Sequence, residues 1–287
     1  MDGIIVINKP KGYTSHDVVA KVKKILNVKK VGHTGTLDPN ATGVLPLLLN
    51  NGTKFSKYLI EHDKEYIATI KLGIKTDTAD SEGIIIEDKK VGNLENVQEV
   101  LNTFIGKQTQ IPPMYSAIKV KGKKLYEYAR NGQNIEVEPR NIEIYSIELL
   151  NINKGSNEIE FKVQCSKGTY IRSLCEDIAK KLGTVGYMKE LNRTKVGRFK
   201  IEDTITLEEL EKNKDNKEFL NSRILEMQEI FNKYETIKIA ENDLKKFLNG
   251  VKINMDKTDG IYNVYCNNNY IGIAVVNNKK AKRDLIK

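Results

Sequence analysis

The chain has 287 residues, with 47 Lys/Arg against 38 Asp/Glu for a net charge of +9, and 39 % hydrophobic content. That length and balance exclude a disordered chain and a small domain that needs disulfide or metal staples, and they fit one large domain or one large plus one small. Residues 44–49, the longest apolar run, are interrupted by Pro46 and are far too short to span a membrane, and residues 1–11 carry no basic leader of signal-peptide type.

Taken in chain order, residues 4–7 read as a short strand ending at the turn Lys9-Pro10-Lys11-Gly12. Ser15 is expected to cap a helix running to about Leu26, with Val18, Val22, Ile25 and Leu26 as its apolar stripe and Lys21, Lys23 and Lys24 facing water or phosphate. A loop rich in Gly, Thr and Pro, residues 32–43, precedes a second apolar segment. Alternation predicts strands over residues 66–72, 142–150 and 159–165, and a helix over 172–182 stopped by Gly183. Residues 108–132 break the core pattern with Pro112-Pro113, several lysines and Tyr115, Tyr126 and Tyr128; they read as a basic, aromatic-bearing excursion from the sheet. A surface helix is expected over the acidic residues 208–218, then a boundary near Lys233. A short helix at 242–248 and two strands, 261–266 and 270–276, complete a small β module.

Charge is distributed in blocks. Residues 1–60, 107–132 and 162–200 are net +6, +5 and +7, separated by acidic stretches of net −5, −4 and −5, and residues 236–287 return to +5. Separate basic segments that assemble into one face would suit a polyanion; a lysine-rich solvated surface fits the charges equally well. The cysteines Cys165, Cys175 and Cys266 have no zinc-type spacing and read as small buried or half-buried thiols. Their odd number and the lack of an export signal point to the cytoplasm. His16, His33 and His62 form no i,i+4 pair, so no metal site is expected.

The densest run of reactive and turn-forming residues is Gly32-His33-Thr34-Gly35-Thr36-Leu37-Asp38-Pro39-Asn40-Ala41-Thr42-Gly43. Glycines let a backbone approach a ligand closely, and Pro39 biases Asp38 toward an extended conformation. An aspartate without a second carboxylate nearby suits a lone nucleophile or base, although such a loop by itself is more often only a turn.

This run, with Ala41-Thr42-Gly43-Val44-Leu45 closing it, resembles the catalytic loop of the TruB-type pseudouridine synthases. Asn8-Lys9-Pro10-Lys11-Gly12-Tyr13-Thr14-Ser15-His16 resembles their N-terminal motif. Further matches follow in order: Asp63-Lys64-Glu65-Tyr66 with Gly73-Ile74-Lys75-Thr76-Asp77-Thr78, then Ile111-Pro112-Pro113-Met114-Tyr115-Ser116-Ala117, then Cys165-Ser166-Lys167-Gly168-Thr169-Tyr170-Ile171-Arg172. The resemblance covers residues 1 to about 200 and is to the bacterial tRNA pseudouridine-55 synthases.

It implies an α+β pseudouridine-synthase fold with a central mixed, mainly antiparallel β-sheet flanked by helices and loops. The catalytic domain would span 1–232 with an RNA-binding insertion at about 108–132, and a small C-terminal PUA-like β module would span 233–287. Asp38 would be the catalytic nucleophile or base, Arg172 its ion-pair partner, and Tyr66 the residue that stacks on the target base. His33, Tyr170, Leu191 and Lys9 would contact the substrate. Lys119, Lys121, Lys123, Lys124, Tyr126 and Arg130 would hold the RNA from the insertion. The implied reaction is isomerisation of uridine 55 in the TΨC arm of tRNA, after base flipping, by a cytoplasmic monomer that needs no cofactor, metal or protein partner. Two rivals share the scaffold: the catalytic subunit of a guide-RNA-directed pseudouridylation complex, and a tRNA-binding or folding chaperone.

Overall fold

In the computed structural model, which describes residues 1–59, 62–133 and 135–286, Ile4, Ile5, Val6 and Ile7 are all buried, because β1 (Gly3–Lys9) is covered on both faces. α1 (Ser15–Ile25) lays Val18 and Val22 against Ile5 and Ile7. Its cap differs from expectation. Thr14 is the N-cap: its hydroxyl accepts from Asp17 N at 3.1 Å, and Asp17 accepts in return from Thr14 N at 2.8 Å. The Ser15 hydroxyl is buried and already committed, accepting from Leu37 N at 2.9 Å and donating to Leu37 O at 3.2 Å.

β2 (Val31–His33), β3 (Thr42–Leu49), α2 (Ser56–Leu59) and β4 (Lys64–Leu72) follow, then the hairpin β5 (Ile74–Thr76) and β6 (Ile85–Asp88), α3 (Val97–Asn102) and β7 (Gly106–Gln110). The excursion expected from 108 therefore begins only after Gln110, because Gln108, Thr109 and Gln110 pair with the next long strand. It carries β8 (Lys119–Val120), β9 (Lys123–Lys124) and α4 (Leu125–Arg130). β10 (Arg140–Asn153), β11 (Glu158–Cys165), α5 (Ile171–Lys181), β12 (Gly186–Val196) and β13 (Phe199–Lys200) come next. The acidic stretch is two helices instead of one, α6 (Leu207–Lys212) and α7 (Lys217–Arg223), since Asn216 starts a new N-cap by accepting from Phe219 N at 3.1 Å. β14 (Ile224–Leu225) and α8 (Met227–Ile230) complete this part.

The large sheet runs β14-β1-β3-β12-β4-β11-β10-β7, with β2 beside β3 and β13 beside β12. Its ladders among the described residues are antiparallel except that between β12 and β3, which is parallel. Pro46 sits in the middle of β3. On the side away from β1, β3 pairs with β12 only at Thr42 and Gly43 and with β2 only from Leu47 to Leu49. The proline, which has no N–H to offer a ladder, occupies the gap between these two partners. The chain leaves β2 at that gap, and loop 34–41 emerges there.

The last part holds β15 (Thr236–Lys238), α9 (Glu241–Leu248), β16 (Ile253–Asn254), β17 (Gly260–Cys266), β18 (Asn269–Asn277) and β19 (Lys280–Ile286), forming a second sheet ordered β15-β17-β18-β19-β16. Asn267 and Asn268 make its β17–β18 turn with φ of 48° and 64°, left-handed values that asparagine tolerates. Tyr270 and Ile273 pack with Phe55, Phe231 and Val44 of the first part. Lys57 and Tyr58 both reach Asp284, the former at 2.6 Å. Cys165, Cys175 and Cys266 are buried free thiols. No helix among the described residues is long and apolar enough to cross a membrane.

Candidate active site

Loop 34–41 is held from below by two cations. Lys9 is fully buried, and its ammonium donates to the carbonyls of Pro10, Tyr13 and Pro39, at 3.0, 2.5 and 3.0 Å. Arg193 on β12, 1 % exposed, donates to Val44 O at 2.8 Å and Gly35 O at 3.1 Å. Backbone carbonyls cannot be left buried without partners, so these two side chains fix the path of the loop on both sides of Asp38. Gly43 permits the arrangement. Its φ is +104°, and a Cβ there would lie 2.3 Å from Arg193 O.

Asp38, half-buried at the top of this loop, meets Arg172 from the first turn of α5. Nε of Arg172 lies 3.1 Å from Oδ2, and Nη2 lies 3.5 Å from Oδ1. Arg172 is 6 % exposed and makes three further contacts: Nη2 donates to Tyr115 O at 2.8 Å, and Nη1 approaches Thr78 O at 3.3 Å and Asp80 Oδ2 at 3.5 Å. Asp80 is oriented in turn, its Oδ1 accepting from Thr78 Oγ1 at 2.6 Å and Glu82 N at 3.0 Å. The start of α5 is fixed by Gln110, whose amide accepts from Tyr170 N at 2.8 Å and donates to Tyr170 O at 3.0 Å.

Burial raises the Asp38 carboxyl above its ordinary value. The Arg172 guanidinium opposes that, and the Asp80 carboxylate adds to it. If turnover uses the ionised carboxylate, kcat/KM falls on acidification with a midpoint above the ordinary aspartate value of about 3.9. A single-turnover pH–rate profile checks this; a midpoint at or below that value would count against it.

The other expected residues fall as follows. Tyr66 on β4 is 8 % exposed and shares a core cluster with Leu37, Ala41 and Leu191. Burial pushes its phenol up to about 12, partly offset by Arg193 beside it. His33 ends β2; its Nδ1 accepts from Gly35 N at 3.3 Å, which leaves the proton of the neutral ring on Nε2. Its ring meets that of His16 edge-on at 5.5 Å between centroids, and burial lowers its pKa. Leu191 serves both as core and as wall: it lines a small cleft with Asp38, Asn40, Ala41, Asp80 and Met188. Lys9, expected at the substrate, lies beneath the loop with its donors taken by carbonyls and supports Asp38 from behind; burial lowers its pKa to about 8.

In the insertion, Lys119, Lys121, Lys123 and Arg130 are exposed. The Tyr126 ring has Lys124 at 5.3 Å and Arg130 at 5.4 Å from its centroid. Sequence reasoning passed over two residues of this site. Asp80 stands two positions beyond the quoted motif ending at Thr78. Arg193 lies two positions after Leu191, but an arginine in a polar strand gives no sign of being buried. Among the described residues no cluster of three or more His, Cys, Asp or Glu is arranged to hold a metal ion.

Residues 23–171 match the TruB family pseudouridylate synthase (N terminal domain), and residues 172–232 match the tRNA pseudouridylate synthase B C-terminal domain. The chain belongs to the TruB family of pseudouridine synthases. TruB-family relatives of similar length include the tRNA pseudouridine synthase B of Clostridium tetani, 47 % identical over 96 % of this chain and 95 % of that protein. That of Aquifex aeolicus is 41 % identical over 96 % and 95 %. Among solved structures, the fold matches a Cbf5 chain of a Cbf5-Nop10-Gar1 complex with a TM-score of 0.72 at 27 % identity, over 99 % of this chain and 83 % of that one. A chain of an H/ACA RNP bound to a substrate RNA containing 2'-deoxyuridine matches with a TM-score of 0.71 at 25 % identity, over 99 % and 84 %. The mixed, mainly antiparallel sheet expected of a TruB-type pseudouridine synthase is the one observed.

Proposed function

We propose that this protein isomerises uridine 55 in the TΨC arm of tRNA to pseudouridine, with the target nucleotide extruded into the cleft beside Asp38. The observation that carries the reading is the Asp38 carboxylate paired at 3.1 Å with a buried arginine, which a second carboxylate, Asp80, shares, at a cleft walled by Leu191. The relatives named as tRNA pseudouridine synthases support a tRNA substrate.

In the reaction the N1–C1′ bond breaks, the base turns, C5 bonds to C1′, the proton on C5 passes to a base, and N1 takes up a proton. Atoms and oxidation level are conserved, so the chemistry calls for charge and confinement alone. Asp38 acts ionised whether it attacks C1′, adds to C6 or removes the C2′ proton. Arg172 orients it and holds its charge in place. Extrusion costs a few kcal/mol, and stacking against an aromatic such as Tyr66 returns about 1–3 kcal/mol. His33 and Tyr170 confine the nucleotide, and Leu191 closes the wall. Residues 1–232 form the catalytic unit and residues 233–287 a PUA-like module that adds RNA contacts. The enzyme works in the cytoplasm as a monomer without protein partners.

The likeness to Cbf5 chains favours one rival, a subunit that needs guide RNA and partner proteins. A bare TΨC hairpin transcript decides. Pseudouridine at position 55, formed by the purified chain alone, supports the proposal, and no conversion unless proteins and guide RNA are added overturns it. The insertion has its own test. Reversing Lys119, Lys121 and Lys123 to Glu should weaken binding and flatten the dependence of log K on log salt by about 2–3 units. An unchanged slope would remove these lysines from the interface.

A further inference from the structure

The turn between β1 and α1 displays a side chain that the site described above does not use. Tyr13 is 36 % exposed, and among the described residues its ring meets no other ring or cation and its hydroxyl has no hydrogen-bond partner. Its backbone is nevertheless tied to both sides of Asp38. Tyr13 O and Pro39 O share the Lys9 ammonium, Gly12 N donates to Pro39 O at 2.9 Å, and Ser15 Oγ bonds Leu37 in both directions. None of those ties uses the Tyr13 side chain, so the network does not require an aromatic here. Lys11 and Gly12, which precede Tyr13 in the turn, are also exposed, and Gly12 has a φ of +84° and open space where a Cβ would be. The face of the turn is unobstructed.

We propose that Tyr13, with Lys11, is a second nucleobase platform: it stacks on a base that flanks the target nucleotide, while Lys11 meets that nucleotide's phosphate. This rests on the reading of the cleft as a uridine-isomerising site. When the target leaves the helix stack, its neighbour loses a stacking partner at the rim of the cleft. An exposed ring whose backbone is tied to Pro39 O through the Lys9 ammonium replaces that partner with few side-chain torsions to order, and it takes any base, because every base has a π-face. Stacking of this kind is worth about 5- to 100-fold in affinity.

The test uses the full chain and a TΨC hairpin carrying 2-aminopurine next to the target. Binding is read in an Asp38→Asn background and turnover in the wild-type background. Tyr13→Ala and Tyr13→Leu should each raise Kd and KM about 10-fold, keep the saturated single-turnover rate within about threefold, and lose the stacking quench of 2-aminopurine. Tyr13→Phe should restore all three readings to wild type. Equal binding and quench in Tyr13→Leu and wild type would overturn the platform, as would a Tyr13→Phe variant as weak as Tyr13→Leu. Failure of the isomerase reading looks different: the wild-type chain leaves the hairpin unconverted, whatever stands at position 13.

Discussion

Replacing Asp38 with Asn is expected to lower pseudouridine formation by at least about 10⁴-fold while tRNA affinity stays within about threefold. The substitution is nearly isosteric and removes one charge. Arg172 keeps its contacts with Tyr115 O, Thr78 O and Asp80, and the loop keeps the Lys9 and Arg193 bonds to its backbone. The cleft should therefore hold its shape with its reactive group disabled. Pseudouridine-specific primer extension reads the chemistry, and filter binding reads affinity. Residual conversion above about 1 % of the wild-type rate would show that another group carries the reaction.

Arg172→Met is expected to lower the saturated rate by about 10²–10³-fold, and Arg172→Lys should recover little of it. One guanidinium spans Asp38, Asp80, Thr78 O and Tyr115 O, and a single ammonium cannot reach four acceptors arranged around a planar fork. Arg172 also pulls the Asp38 carboxyl downward. With that cation gone, burial and Asp80 are opposed only by the more distant Lys9, so the acid limb of the residual activity moves to higher pH than in the wild type. A loss of activity with no such movement would assign Arg172 to the architecture of the cleft alone. Thermal melting of the same variants separates a local defect from a collapsed fold.

Segments with a local signal were readable before any fold was known. β11 alternates cleanly, α5 shows its stripe and its closing glycine, and loop 32–43 concentrates its turn residues and its aspartate in one stretch. What escaped depends on partners distant in the chain. β12 does not read as a strand because its alternation is broken twice, between Met188 and Glu190 and between Arg193 and Lys195, where bulges absorb a residue. β19 is a run of charged side chains whose strand character comes from pairing with β18. Burial of Lys9 and Arg193 is invisible for the same reason: each is a cation whose acceptors are carbonyls, and carbonyls have no residue type. Ser15 lost the cap to Thr14 through a bond to Leu37, 22 positions away.

The carbonyl that Arg172 holds most closely, that of Tyr115, belongs to the root of the basic insertion. In the proposed reading, recognition and reactivity thus hang on the same guanidinium. An RNA that engages the cleft but leaves the insertion unseated would shift the Tyr115 root and, with it, the cation that aims Asp38. Such a molecule would be discriminated against after capture as well as during it, so fidelity among look-alike hairpins should be visible in the rate at saturating enzyme, in the manner of a checkpoint that inspects the arm before the bond is cut.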